Sequence, residues 1–300
     1  MGEYNSPYFE VWCIEDYMII DNLQSSLKIM KKKHPEAQNL IDIFTPILLC
    51  EEELLEELKM KKPALSLKKQ KEKVPYVDVK DFPVCSEKSH IICQKLLQSM
   101  QKALPHLNDI IEEFIHLIKP STARRLCKEF IANKENHEEL LEKYIEKNFA
   151  KDKLADETYY TNVYSVLELL LTRASHTLLA RVARSLPSIE EHEGANVCPV
   201  CGGKPNMSVI RFKEGQRELV CSDCGNLWRF KRSKCHICGK EENKNLEMTY
   251  ANDNKNERAL TCQACKNYIL EIDLRDQNIE KENVHIYSLG MAYLDAIMQK

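Results

Sequence analysis

Eight of the chain's thirteen cysteines form four Cys-x-x-Cys pairs: Cys198/Cys201, Cys221/Cys224, Cys235/Cys238 and Cys262/Cys265. Such a turn puts two thiolates on one side of a tight knuckle, where both reach one metal ion, and two knuckles complete a tetrahedral S4 site. The gaps between successive pairs are 19, 10 and 23 residues. The first falls in the zinc-ribbon range of about 15–20, and an extended hairpin absorbs the longer third. Glycine follows three of the knuckles directly, at Gly202, Gly225 and Gly239. With all eight thiolates as ligands, no coordination position is left for a reactive water, so the expected sites are structural rather than hydrolytic. An S4 set suits Zn²⁺ and also a rubredoxin-type iron. The cofactors expected are therefore two metal ions, Zn²⁺ or Fe, and the module should not fold without them.

Three arrangements fit four pairs. Consecutive pairs can build two tandem ribbons, the pairs can interleave as a cross-brace, or they can serve as dithiol redox centres. The 19- and 23-residue gaps each leave room for a β-hairpin between knuckles, which favours consecutive ribbons. A thioredoxin-like dithiol expects one pair at a helix start within a βαβ pattern, and that pattern is missing.

These knuckles must be carried by a chain of 300 residues, 43% hydrophobic and 30% charged, with net charge −3. That is ample for a core and too apolar for disorder. The run from Val166 to Leu171 is interrupted by Glu168 and is far short of the roughly 20 residues a spanning helix needs. The N-terminal MGEYNSPYFEVWC is unlike a secretory signal, and its Gly2/Ser6 match to a myristoylation pattern is of a kind that arises by chance. Single cysteines outside the pairs (Cys13, Cys50, Cys85, Cys93 and Cys127) read as small apolar core residues of a reduced, cytoplasmic protein.

Glycine divides the chain. Between Gly2 and Gly194 there is none, and this Leu-, Glu- and Lys-rich stretch carries helical apolar spacing, as in Leu107, Ile110, Ile111, Phe114, Ile115 and Ile118. Helices are expected near 9–33 and 36–62 (kinked or split at Pro46), after Pro105, after a Ser121 cap, and from about Glu157 to Leu186. Residues 63–85, with Pro63, Pro75, Pro83 and KKQKEK, read as an exposed connection, and Pro187 to Gly194 as a hinge. The expected fold class is α+β: an all-α helical domain (1–190), a first four-cysteine ribbon (195–232), and a second four-cysteine module, rubredoxin- or zinc-ribbon-like, with a C-terminal helix (233–300).

Other side chains are read more plainly. His236 lies within the third knuckle and reads as a filler rather than a ligand. His116 and His176, and Tyr159, Tyr160 and Tyr164, read as helix packing or surface, and Trp228 and Phe230 as a cover for the first metal site. No Ser-His-Asp set, phosphate loop or dinucleotide fingerprint occurs, so no catalytic residue is assigned. Residues 198–240 hold nine Lys/Arg against three acids, densest from Arg229 to Lys234. A basic ribbon of this kind suits an acidic protein surface or a nucleic acid.

The ordered set CPVCG (198–202), GQRELVCSDC (215–224), WRFKRSKCHIC (228–238) and CQACKNY (262–268) resembles the formate dehydrogenase accessory proteins of the FdhE type, including Arg217, Trp228, Arg232 and Tyr268. The resemblance covers about 70 residues well, while the helical half agrees in character. One departure stands at IYSLGMAYLD (286–295), where Tyr287 and Ser288 replace the family's paired aspartates. The resemblance implies a cytoplasmic, non-catalytic maturation factor that binds the catalytic subunit of a molybdenum or tungsten formate dehydrogenase, or a related molybdoenzyme, with no small-molecule substrate. On that reading Arg217, Arg229, Lys231 and Arg232 are the expected partner-binding residues. The alternatives are a nucleic-acid-binding zinc ribbon and a rubredoxin-like iron or redox protein.

Overall fold

The computed structural model describes residues 19–59, 75–77, 82, 84–134, 136–186, 195–241, 246–250, 254–275, 284 and 287–299. The start of the expected first helix, Cys13, the Gly2/Ser6 pattern, most of the 63–85 connection and the 187–194 hinge lie outside them.

The N-terminal half is helical, as its spacing predicts: α1 (Ile19–Lys33), α2 (Gln38–Glu57), α3 (Ser86–Ala103), α4 (Asn108–Leu117), α5 (Pro120–Ala132), α6 (His137–Asn148), α7 (Lys151–Leu154) and α8 (Glu157–Ala183). Asp156 caps α8 by accepting from the Thr158 and Tyr159 amides at 2.8 and 3.0 Å. Ser121 is not the cap of α5; it sits in the first turn behind Pro120, whose fixed φ suits that position. Nor does Pro46 split α2, which runs unbroken through it. Buried side chains on both sides of the proline, Ile41 and Ile47, hold the helix together through it.

Six strands follow: β1 (Pro205–Arg211), β2 (Gln216–Cys221), β3 (Leu227–Arg229), β4 (Leu246–Thr249), β5 (Glu257–Cys262) and β6 (Tyr268–Asp273). Each ribbon repeats one plan, in which two knuckles flank a hairpin and a further strand follows. The two ribbons do not stand apart, because they merge in one sheet of order β3-β2-β1-β6-β5-β4. The seam is the parallel pair β1–β6, with Met207 opposite Leu270 and Ile210 opposite Asp273, and every other pairing is antiparallel. Helices α9 (Tyr287–Gly290) and α10 (Ala292–Met298) end the described chain.

Side chains alternate across the sheet, so each face meets a different core. Met207, Val209, Val220, Ala259, Leu270 and Ile272 face α1 and the C-terminal helices. Leu219, Leu260 and Ile269 face the main helical core. Helix α2 serves both, giving Ile41 and Leu48 to the first and Ile47, Cys50 and Leu54 to the second. The expected boundary near residue 195 thus marks a change of secondary structure while packing continues across it. Of the single cysteines, Cys50, Cys93 and Cys127 are buried as expected, but Cys85 is exposed just before α3.

Two carboxylates on α2, Glu51 and Glu52, are buried and pinned to α8. Glu52 receives both arms of Arg184 at 2.7 and 2.9 Å, and Glu51 pairs with Arg173 beside His176. Burial opposes the Glu51 charge, yet Arg173 and His176 prevail and hold its carboxyl down at about 2. The pair therefore stabilises the fold above the ordinary value of 4.5 and loses that contribution as pH falls from there toward 2. Glu51→Gln should cost about 3 kcal/mol at neutral pH, since it leaves Arg173 largely buried without its counter-charge. The difference from the native chain should shrink as pH falls below 4.5, which chemical unfolding across that range measures.

Candidate metal centres

All four knuckles share one backbone pattern. The amide four residues after the first cysteine donates back to that cysteine's carbonyl: Gly202 to Cys198, Gly225 to Cys221, Gly239 to Cys235 and Lys266 to Cys262, at 2.7–3.1 Å. The first cysteine's own amide donates to the carbonyl of Gly203, Asn226, Lys240 and Asn267 respectively. The turn needs positive φ at the residue after the second cysteine, where three knuckles place glycine and the fourth strains Lys266 to φ 63°.

The folded chain brings the sulfurs together in consecutive pairs. Cys198, Cys201, Cys221 and Cys224 form one group, and Cys235, Cys238, Cys262 and Cys265 a second, each with its Sγ atoms within 4.8 Å of one another. In the first group Cys198–Cys224, Cys201–Cys221 and Cys201–Cys224 lie at 3.6, 3.6 and 3.5 Å. In the second, Cys235–Cys265 and Cys238–Cys262 are both at 3.7 Å. A tetrahedron with metal–sulfur bonds of about 2.3 Å has edges of about 3.8 Å, so both groups fit a four-thiolate ion. Each group can hold one metal ion, and its four thiolates fill a tetrahedral shell. His236 belongs to neither group. Burial, and then the nearby Arg217 charge, push its imidazole down to about 4, so it is a neutral packing residue.

The two centres differ in setting. The first is wholly buried and shares the helical core with Val200, Trp228 and Phe230, as expected of those aromatics. Trp228 Nε1 donates to the Ala195 carbonyl at 2.8 Å. Two features of the helical half seal this centre. Tyr76 and Val77 donate backbone hydrogen bonds to the carbonyls of Pro199 and Val200, both at 2.9 Å. Within the 63–85 connection, expected to be exposed, the described residues Tyr76, Val77, Phe82 and Val84 are buried, while Cys85 is exposed. Lys134, after α5, donates to the Cys201 carbonyl at 3.1 Å, sits 4.0 Å from Cys201 Sγ, and pairs with Asp223 inside the second knuckle. Burial pushes the Lys134 ammonium toward neutrality, but Cys201 and Asp223 hold it charged, and its proton affinity is raised. A divalent ion with four thiolates carries a net charge of −2, which Lys134 partly offsets. No local spacing in the sequence marks Lys134 as a neighbour of the knuckles.

The second centre lies at the surface, with Cys238 exposed and Cys265 partly so. Of the expected partner-binding residues, Arg229, Lys231 and Arg232 reach the surface, although Lys231 pairs with Glu241 at 2.9 Å. Arg217 is not a surface residue: it is 2% exposed, its Nε is 3.0 Å from Glu271, and Nη1 donates to the Lys234 carbonyl at 3.2 Å. A guanidinium engaged by a buried carboxylate cannot also serve a partner. Tyr287, at the departure from the family pattern, is also internal, buried with the core that covers α1, while Ser288 is partly buried. The two remaining motif residues, Tyr268 and Asp295, bond to each other at 2.7 Å.

This difference in burial has a measurable consequence. Cys238→Ser should remove one metal ion per chain and leave the helical core intact. Cys221→Ser should remove the other ion and lower the melting temperature of the helices as well, because its sulfur lies in their core. A chelator should strip the exposed centre first, and Lys134→Met should speed loss from the buried one by about tenfold. Elemental analysis alongside helical circular dichroism checks all of these.

Residues 197–232 match the family model "FdhE, central domain". The chain is 39% identical over 94 residues to a protein FdhE homolog of Aquifex aeolicus, covering 30% of this chain and 33% of that relative. It is 28% identical over 212 residues to one of Actinobacillus pleuropneumoniae, covering 68% of this chain and 60% of the relative. Over the first three relatives the chain spans only about a third of their length, at 33%, 30% and 37%. The crystal structure of the FdhE protein from Pseudomonas aeruginosa superposes with TM-score 0.65 at 18% identity, over 94% of this chain and 91% of that one. The sequence similarity to the FdhE central domain lies at residues 197–232, and the fold is similar to that of an FdhE protein along nearly the whole chain.

Proposed function

We propose that this protein is a cytoplasmic, non-catalytic assembly factor that binds the catalytic subunit of a formate dehydrogenase, or of a related molybdoenzyme, during its maturation. The observation that carries this reading is the fold match to an FdhE protein along nearly the full chain, with both four-cysteine groups in place. Closed tetrathiolate sites support a structural role for the metals, Zn²⁺ or Fe, since they leave no open position for substrate. Among the described residues no helix is long and apolar enough to cross a membrane.

On this reading Arg229, Lys231 and Arg232 form the docking face. The ribbon's basic count overstates the charge free for nucleic acid, because Arg217 and Arg211 are paired with Glu271 and Glu218. The expected result of an anaerobic pull-down from the native host is recovery of a formate dehydrogenase catalytic subunit. Replacing Arg229, Lys231 and Arg232 together by Glu should abolish that recovery while both metal ions are retained. Recovery of nucleic acid alone, with retention falling steeply as salt rises, would overturn the reading.

A further inference from the structure

One buried histidine has a carboxylate on each side of its ring. His34, the residue after α1, is 3% exposed. Its Nε2 lies 2.9 Å from Glu257 Oε1 on β5, and its Nδ1 lies 3.2 Å from Glu36 Oε1 in the turn that follows. A neutral imidazole carries one N–H, so one of these contacts would set a ring lone pair against an oxygen that only accepts. Only the imidazolium donates to both. Its charge is answered inside the core, because Glu257 is 2% exposed and, among the described residues, no Lys or Arg pairs with it.

The same carboxylate reaches the C-terminal helices. Glu257 Oε2 accepts from the Tyr293 hydroxyl of α10 at 3.1 Å, and the Tyr293 ring stacks on the imidazole with centroids 5.8 Å apart. A Cβ on Gly290 of α9 would stand 2.9 Å from His34 Cδ2, so the backbone closes over the ring as well. Helices of four and seven residues do not persist alone in water. These two depend on docking: Tyr287, Met291 and Leu294 pack on Leu23, Leu27 and Met30 of α1, and Asp295 accepts from Tyr268 of β6. Of the charges near the end of α1, Lys31 pairs with Asp42 of α2, and Lys33 Nζ lies 5.8 Å from the Tyr287 ring.

We infer that protonated His34 is a latch that fastens α10 to β5 and α1, and that its deprotonation loosens the C-terminal helices and uncovers the apolar face of α1. Loss of the proton leaves the buried Glu257 carboxylate without a counter-charge, which is costly. It also turns a ring lone pair toward one of the two acids. Burial works against the imidazolium, but Glu257 and then Glu36 outweigh it, and His34 holds its proton above the ordinary value of 6.5. The Tyr293 phenol does not compete, since burial and then Glu257 push its ionisation up. The latch therefore contributes fully below pH 6.5 and is lost as pH rises through the raised value. It is independent of which partner the protein serves.

The test follows the metal-loaded full chain by NMR from about pH 6 to about pH 10, reading the His34 ring resonances and the exchange protection of α10 amides against those of α8. His34 is expected to titrate above 6.5, and α10 protection to fall about tenfold through that titration while α8 stays protected. Glu257→Gln should bring the His34 titration down. His34→Gln should hold α10 at the low protection of the native chain's alkaline form across the whole range. A ring that titrates at or below 6.5 overturns the latch, as does α10 protection that is constant through the titration or falls no more than that of α8. So does a His34→Gln chain whose α10 is as protected as that of the native chain at neutral pH.

Discussion

Four thiolates cannot be buried as bare charges, and the first cysteine group lies inside the helical core. That constraint orders much of the molecule. With a cation the group becomes a compact anion that can share a core with Val200, Trp228 and leucines of the helices. Without one, the sulfurs must each hold a proton or the core must open. The helical half meets the residual charge with Lys134 and closes the knuckle with the backbone of Tyr76 and Val77. Metal and helices are therefore one folding unit at this centre, and binding energy for the ion of about 10–16 kcal/mol is also packing energy. The second centre, half open to solvent, carries no such obligation.

The parts of the fold legible in the sequence are those set by short-range chemistry. Knuckle positions follow from the two-residue spacing within each pair, and consecutive pairing from gaps long enough for a hairpin. The helices follow from apolar periodicity and from the lack of glycine. What stayed hidden depends on contacts between distant residues. The β1–β6 seam joins strands about sixty positions apart, and parallel neighbours leave no turn signature between them. Arg217 looked like one more ribbon cation because its partner, Glu271, lies on a strand of the other ribbon. Tyr76 and Val77, read from their prolines and lysines as an exposed connection, are buried because a knuckle more than a hundred residues later offers two carbonyls.

Charge follows the same logic. The basic segment is a count of residues, while the surface is what remains after internal pairing. Glu271 and Glu218 engage Arg217 and Arg211, Lys231 pairs with Glu241 at the surface, and two acids, Glu271 and Asp273, hold Arg217, Arg258 and Arg275. Among the described residues of the segment, Lys204, Lys213, Arg229, Arg232 and Lys240 remain exposed without an acid partner.

The core shared by α1 and the C-terminal helices carries a consequence in time. Leu23, Leu27 and Met30 are covered by Tyr287, Met291 and Leu294, and Gly290 comes so close to α1 that a methyl group there would collide with Met30. On the ribosome, α1 emerges about 250 residues before its cover, an interval on the order of ten to fifty seconds at ordinary elongation rates. During that wait its apolar face lacks the cover that the C-terminal helices give it. The nascent chain therefore carries that apolar face until the C-terminal helices described here have been made.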